Sequence, residues 1–344
     1  MGGGERVALT LAKALDADLI TTEFDPALPG RAGVESVRVR SLGPLLRGAP
    51  FKQLHASWRF SRARLPGYDT YILVGNWAHF AGQAHHPNLY YCLTPTRTFY
   101  DLRESLLARL PWTRRAIAGA WIRVHRRLDR RAVRGADRIV AISENVRGRV
   151  RRAYGRDADV IYPPVATSRF RFQELGDAWI SVNRLYPEKR IDLQMEVFRR
   201  LPEEKLVIVG GYTKGDRTES YVSSLRPPPN VTLMGEVPEA ALADLYGRCR
   251  GFLTTALDED FGITPVEAMA AGKVVLATDE GGYRETVIPG KTGFLLPPDP
   301  ESFARTIRDL DDTALLSMRD ACVARARAFD ASIFVARMRA AIGA

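Results

Sequence analysis

Two glutamates, Glu259 and Glu267, stand eight positions apart on either side of the turn Asp260-Phe261-Gly262-Ile263-Thr264. The turn follows the apolar run Gly251–Ala256 and leads into a proline-bearing stretch that ends at Gly272, an order that predicts a strand, a glycine turn and a helix. Backbone N–H groups of residues 260–264 would then point outward at a helix N-terminus, where phosphate binds. A carboxylate repels phosphate, so the two glutamates are read as acceptors for hydroxyls flanking a diphosphate, Glu259 for a sugar and Glu267 for a ribose. Upstream, Arg184 closes the strand-like run Trp179–Arg184 and Lys189 stands where the next helix begins. Their charges suit two phosphates and a leaving group that gains negative charge. The structural alternatives are an acid placed for a helix dipole and a pair of surface cations.

Small residues extend this rim. Gly210 follows Leu206–Val209, and Gly235-Glu236-Val237 follows Val231–Met234. Glycine there would let a flat base enter between strands, with the backbone of Glu236 and Val237 along its edge. Gly281-Gly282 opens a further helix. In the first half, Gly3 and Gly4 sit in a glycine run before the helical stretch Val7–Leu15. Such a turn normally follows a strand and none precedes it, so the expectation is a missing first strand or a start other than Met1, with a flexible leader as the alternative. His79, in the loop after Tyr68–Gly75, falls beyond a strand end and is a candidate to touch substrate.

The elements that must position these residues alternate between strand and helix. In the first half, strands are predicted at Asp18–Thr22, Val34–Arg40, Thr70–Gly75, Leu89–Cys92 and Ala136–Ser143. In the second half they recur at Trp179, Leu206, Val231, Gly251, Val274 and Gly293, separated by helical stretches. This predicts an α/β protein with doubly wound parallel sheets, whose ligands lie beyond the carboxyl ends of the strands. Asp159–Val165 carries two prolines that cannot continue a strand interior and marks a domain boundary. The expected division is 1–163, 164–329, and a tail 330–344 returning to the first domain.

The Glu259–Glu267 stretch resembles the Glu-x7-Glu signature of family-4 retaining glycosyltransferases of the GT-B fold. The resemblance continues at Asp159–Val165, at Arg184–Arg190, which resembles the family's G-R-L-x-x-x-K-[GR] pattern with Asn183 in place of glycine, and at Gly281–Glu285. It implies two Rossmann-like domains with a cleft between them. The nucleotide sugar would be held by Arg184, Lys189, Gly210, Gly235, Glu236, Val237, Glu259, Asp260, Phe261, Gly262, Ile263, Thr264 and Glu267, with Gly3 and Gly4 against the donor phosphates. Leu93 stands where the family often has a reactive-side histidine, leaving His79 and the His85-His86 pair as substitutes. The resemblance further implies retention without a metal, with Glu259, Arg184, Lys189 and His79 at the chemistry and no cofactor beyond the donor. The one Asp-x-Asp, Asp157-Ala158-Asp159, lies at the hinge rather than on the rim. The closest subgroup is mannosyltransferase-like, which implies GDP-mannose, with a UDP-sugar second, and a lipid-linked or surface glycan acceptor.

Composition narrows the setting. At 344 residues the chain suits two domains, and 46% hydrophobic with 26% charged residues is the balance of a water-soluble globular protein. The run Ala116–Ile122 is far short of the ~18 residues of a membrane span. Cys92, Cys249 and Cys322 are widely spaced and are expected to be buried thiols in a reducing compartment, the cytoplasm. The net charge of +10 is concentrated: Arg103–Arg152 holds 15 arginines and 4 acids, a balance of +11. That segment is read as a contact for an anionic membrane at its inner face or as a solvated surface; no nucleic acid is expected. Within it, Ile117, Trp121, Val124 and Leu128 share one face of a predicted helix, read as core packing. The rival functional readings are a nucleotide-sugar epimerase of the same fold and a basic module that binds membrane or nucleic acid.

Overall fold

Apolar runs of four or five residues between glycine, proline and charged punctuation form strands, and the longer periodic stretches form helices. The computed structural model describes residues 3–24, 36–46, 48, 51–108, 110–212 and 218–343. It divides into two units, Met1–Pro163 with Phe334–Ala344, and Pro164–Ile333.

In the first unit, β1 (Leu19–Thr21) and β2 (Val39–Ser41) form a parallel pair. Residues 34 and 35 of the run expected there lie outside the described residues. A second parallel sheet takes β3 (Tyr71–Val74), β4 (Asn88–Cys92), β5 (Arg138–Ala141) and β6 (Asp159–Val160) in chain order. β4 is buried along its whole length, as an inner parallel strand covered on both faces must be. After β5, Ser143 caps the helix Glu144–Tyr154, its Oγ accepting from the Val146 N–H at 3.0 Å.

Three expectations change here. Gly3 and Gly4 are the first residues of the helix Gly3–Ala14, not a loop before it, and Gly4 abuts Leu93: a Cβ on Gly4 would meet Leu93 Cδ1 at 2.6 Å. The helix Trp112–Val133 does not bury Ile117, Val124 and Leu128, which are 72%, 53% and 43% exposed. It turns Ile122, His125, Asp129, Ala132 and Val133 inward instead. Apolar periodicity picked the wrong face because two of the inward positions are polar residues. His79 is the third. It lies in a short 3₁₀ helix, Ala78–Ala81, 1% exposed, and shares a hydrogen bond of 2.8 Å between its Nε2 and Asp129 Oδ1. Tyr100 donates to the other Asp129 oxygen at 2.6 Å. Placement beyond a strand end had suggested an exposed rim residue; the buried acid draws the ring into the interior.

The second unit is one six-stranded parallel sheet: β7 (Ala178–Val182), β8 (Lys205–Val209), β9 (Val231–Gly235), β10 (Phe252–Thr254), β11 (Val275–Thr278) and β12 (Gly293–Leu296). The spatial order is β12-β11-β10-β7-β8-β9. The first strand of the unit lies at the centre and the order reverses between β7 and β10, which is the doubly wound pattern with its switch point there. The core around the sheet includes Trp179, Ile208, Leu253 and Leu276 with Phe198 and Phe303 from flanking helices. Among the described residues no helix is long and apolar enough to cross a membrane. Cys92, Cys249 and Cys322 are free and buried, and burial pushes the Cys249 and Cys322 thiols up to about 12.

Candidate active site

At the switch point two loops leave adjacent strands. β7 ends at Val182 and the chain runs through Asn183-Arg184-Leu185-Tyr186 into the 3₁₀ turn Pro187–Lys189 and the helix Ile191–Arg199. β10 ends at Thr254, and residues 255–262 lead to the helix Ile263–Ala270. The loops are tied to one another: the Leu257 N–H donates to Glu188 O at 2.8 Å, and Thr255 Oγ1 to Lys189 O at 2.9 Å. Gln194 Nε2 in turn donates to that threonine hydroxyl at 3.0 Å.

This frame brings sequence-predicted residues together. Lys189 Nζ forms an ion pair with a Glu259 carboxylate oxygen, both side chains partly exposed. Arg184 is exposed, with its guanidinium 5.8 Å from the centre of the Tyr186 ring. Gly262 takes a left-handed φ of 91° at the N-cap of the Ile263–Ala270 helix, a conformation that costs glycine little. With no side-chain cap there, the first amides of the helix, beginning at Ile263 and Thr264, have no intrahelical partner. Pro265 is the third helical residue rather than the first.

Glu267 falls in the second turn and is 3% exposed; its carboxylate accepts from Tyr246 OH at 3.1 Å. Phe261 is buried and meets the Phe329 ring at 5.3 Å, which anchors the turn from below. Gly281 and Gly282 must be small, because a Cβ on either would fall on the backbone of residues 258–261. The Gly282 N–H donates to Glu259 O at 2.8 Å.

β8 and β9 carry the remaining rim. Gly210 N–H donates to Gly235 O at 2.9 Å, and the Leu185 N–H to Gly211 O at 3.0 Å, so the ends of three neighbouring strands converge. Glu236 and Val237 continue from β9, Glu236 exposed. Asn183, where the resembling pattern has glycine, turns its amide back to Ser181 Oγ at 2.5 Å and leaves the rim open.

Sequence reasoning missed one pair. Arg190 binds Glu280 through both guanidinium arms, at 2.9 and 3.3 Å, and Glu280 also accepts from the Asp258 N–H at 3.2 Å. Asp258, at φ 46°, is strained for a non-glycine residue, and this acceptor is what holds it. The signal was present as a charge beside each motif but had no periodicity. Glu280→Gln is expected to loosen the 258–262 turn, with under ~2 kcal/mol lost in stability, measured by chemical unfolding.

The first-unit candidates are occupied structurally. His79 is paired as described, His85 Nδ1–H donates to Ala81 O at 2.8 Å, and His86 Nδ1 lies 3.0 Å from the Asp137 carboxylate. Asp157 of the Asp-x-Asp spacing holds both Arg147 and Arg151, whose hydrogen bonds keep its carboxyl well below the usual range.

Comparison with known proteins adds the lineage. A model described as Glycosyltransferase Family 4 matches residues 1–169, and one described as Glycosyl transferases group 1 matches residues 171–329. Among relatives, the D-inositol 3-phosphate glycosyltransferase of Streptomyces scabiei is 30% identical over 226 residues, 57% of this chain and 51% of that protein. The GDP-mannose-dependent alpha-(1-6)-phosphatidylinositol monomannoside mannosyltransferase of Mycolicibacterium smegmatis is 32% identical over 242 residues, 59% and 63% of the two chains. The chain thus spans about half the length of the curated relatives it matches. The crystal structure of Anabaena Alr3699/HepE in complex with UDP-glucose superposes with a TM-score of 0.75 at 20% identity, covering 100% of this chain and 96% of that one, a likeness of fold. Since the first family model gives way to the second within two residues, and the pair runs almost unbroken to residue 329, the chain belongs to the family-4 glycosyltransferases of the GT-B fold.

Proposed function

We propose that this protein is a retaining, metal-independent glycosyltransferase that moves a hexose from a nucleotide diphosphate sugar to a lipid-linked or surface glycan acceptor, at a membrane face contacted by its arginine-rich Arg103–Arg152 segment. The observation that carries this is the Lys189–Glu259 ion pair just before the Gly262 helix start, on loops that leave β7 and β10 at the switch point, with Arg184 on the first of those loops. GDP-mannose is the proposed donor, in keeping with the GDP-mannose-dependent mannosyltransferase among the relatives; the UDP-glucose complex of a structural neighbour makes a UDP-sugar the comparison.

In the reaction the bond from the anomeric carbon to the phosphate oxygen breaks, a bond to the acceptor oxygen forms on the same face, and the acceptor proton passes to the departing diphosphate. Arg184, Lys189 and the amides at the start of the Ile263–Ala270 helix balance the charge that develops on the leaving group. Lys189 is paired with Glu259 in the free protein, so the donor exchanges partners: phosphate takes the lysine and the sugar hydroxyls take the glutamate. Glu267 would accept from the ribose, and the Glu236–Val237 backbone would run along the base. The epimerase alternative needs an acid or base on the far side of the sugar, and the buried, paired His79 does not favour it.

A melting-temperature panel tests the assignment. GDP or GDP-mannose at 100 times its dissociation constant should stabilise the nucleotide-binding unit by about 2.7 kcal/mol. No shift with any GDP or UDP ligand overturns the reading. Product analysis by NMR should show the donor's anomeric configuration kept.

A further inference from the structure

The helix Ile263–Ala270 starts at the proposed nucleotide site and ends at a second cleft. That cleft, about 450 Å³, is lined by the segment 167–172, by Ala270, and by Val323 and Arg327 of the helix Arg319–Arg327, so it lies wholly within the second unit. Its volume is that of a small-molecule site. Phe170, Phe172, Ala270 and Val323 make an apolar wall, and the exposed Arg171 and Arg327 stand at it. Among the described residues neither arginine has an acidic partner. Asp330, three residues beyond Arg327, is engaged: it accepts from Thr167 Oγ1 at 2.5 Å and from the Ser332 N–H at 3.0 Å. Two further cations lie against a ring of the wall. Lys273, fully buried and donating to Cys249 O at 2.7 Å, is 4.2 Å from the centre of the Phe172 ring, and the Arg319 guanidinium is 5.3 Å from it. The negative end of the helix offsets little of this charge, because the N–H groups of Ala271, Gly272 and Lys273 already donate to the carbonyls of Glu267, Met269 and Ala268.

We propose that this cleft is an effector site for a small organic phosphate, with the phosphate on Arg171 and Arg327 and a ring or other apolar body against Phe170 and Phe172, and that filling it tightens nucleotide binding. Two like charges that share a cleft without a counter-ion repel one another, and a dianion relieves both at once. Guanidinium forks match phosphate oxygens, while the apolar wall offers area that inorganic phosphate cannot use. The link to the nucleotide site is short. Phe170 meets the Tyr246 ring edge-on at 5.4 Å, and the Tyr246 hydroxyl donates to Glu267 at 3.1 Å. Phe170, Tyr246 and Glu267 are 7%, 0% and 3% exposed, so a body pressed on Phe170 is felt at the carboxylate rather than absorbed by a void. Ala270 lies three residues beyond Glu267, on the same side of the same helix. Binding in the cleft stands by itself; the coupling rests on the reading of Glu267 as a nucleotide ligand.

Calorimetry on the full chain, with phenyl phosphate, inorganic phosphate and benzyl alcohol as probes, reads the site directly. Phenyl phosphate should bind about tenfold more tightly than inorganic phosphate, and benzyl alcohol should not bind. Arg171→Gln/Arg327→Gln should weaken phenyl phosphate about 100-fold. Both substitutions alter exposed side chains, so the melting temperature and the GDP affinity of that variant should match wild type. Saturating phenyl phosphate should raise GDP affinity about fivefold in wild type, GDP should raise phenyl phosphate affinity by the same factor, and the double variant should show neither effect. Lys189→Ala should leave phenyl phosphate binding unchanged, which separates the cleft from the nucleotide site.

Phenyl phosphate that fails to bind, or that binds the double variant as it binds wild type, overturns the proposal. So does a GDP affinity that is unchanged or lowered by phenyl phosphate, the second being competition for one site. Phenyl phosphate binding that depends on Arg171 and Arg327, in a chain that binds no GDP or UDP ligand, would strike the transferase reading and the coupling with it and uphold the cleft as a phosphate site.

Discussion

Lys189→Ala is expected to lower transfer by roughly two to three orders of magnitude in kcat, the loss typical of removing one preorganised group from a developing negative charge. The fold should persist. Lys189 and Glu259 are 27% and 19% exposed, and a partly exposed pair contributes at most about 1 kcal/mol of stability. Glu267→Ala is expected to abolish activity by a different route. Its carboxylate is nearly buried beneath the turn, so the loss should appear chiefly in nucleotide affinity, with about 1–3 kcal/mol of stability from the buried hydrogen bond to the Tyr246 hydroxyl, which keeps only a 3.4 Å contact with Thr264 O. Steady-state rates for both variants, set beside nucleotide-induced melting shifts, separate the two effects. Full activity in both would remove the diphosphate from this site.

Asp129→Ala should be the most destabilising single change in the first unit, by about 3–5 kcal/mol, because it strips the His79 ring and the Tyr100 hydroxyl of their shared acceptor. Burial opposes ionisation of Asp129, but the His79 hydrogen bond and charge and the Tyr100 hydroxyl outweigh it and hold the carboxyl below its ordinary 3.8. A depressed carboxylate gives stability that is present above the unfolded value and lost as pH falls through the folded one, here below about 4.

His125 adds a second acid limb. Its ring lies 4.7 Å from Phe99 and 5.5 Å from Trp77, and neither nitrogen has a partner among the described residues. Burial lowers its pKa below 6.5, so the unfolded chain takes up a proton first and stability begins to fall below that pH. Thermal unfolding between neutral pH and pH 4 should show this decline, and His125→Phe should flatten its upper part. An unchanged slope in that variant would assign the upper limb to another group.

What was legible in the sequence was whatever depends on neighbours along the chain. The alternation of strands and helices, the glycine turn before Ile263 and the cap at Ser143 follow from local propensity and spacing, and the doubly wound order of β7 to β12 follows from repetition of one local unit. Tertiary structure alone decided which side of a helix faces inward and which charges meet. The Trp112–Val133 helix shows the first: Asp129 is satisfied in the interior by His79 and Tyr100, and His125 packs there among aromatic rings, so polar residues took the positions that apolar periodicity had claimed and the apolar ridge of Ile117, Val124 and Leu128 was left outside. The Arg190–Glu280 clamp shows the second, since ninety residues separate partners that only the pairing of β7 with β10, and of β10 with β11, brings within hydrogen-bonding distance. A side chain's partner across a sheet leaves no periodic trace, because it is fixed by strand order in space rather than by any interval along the backbone.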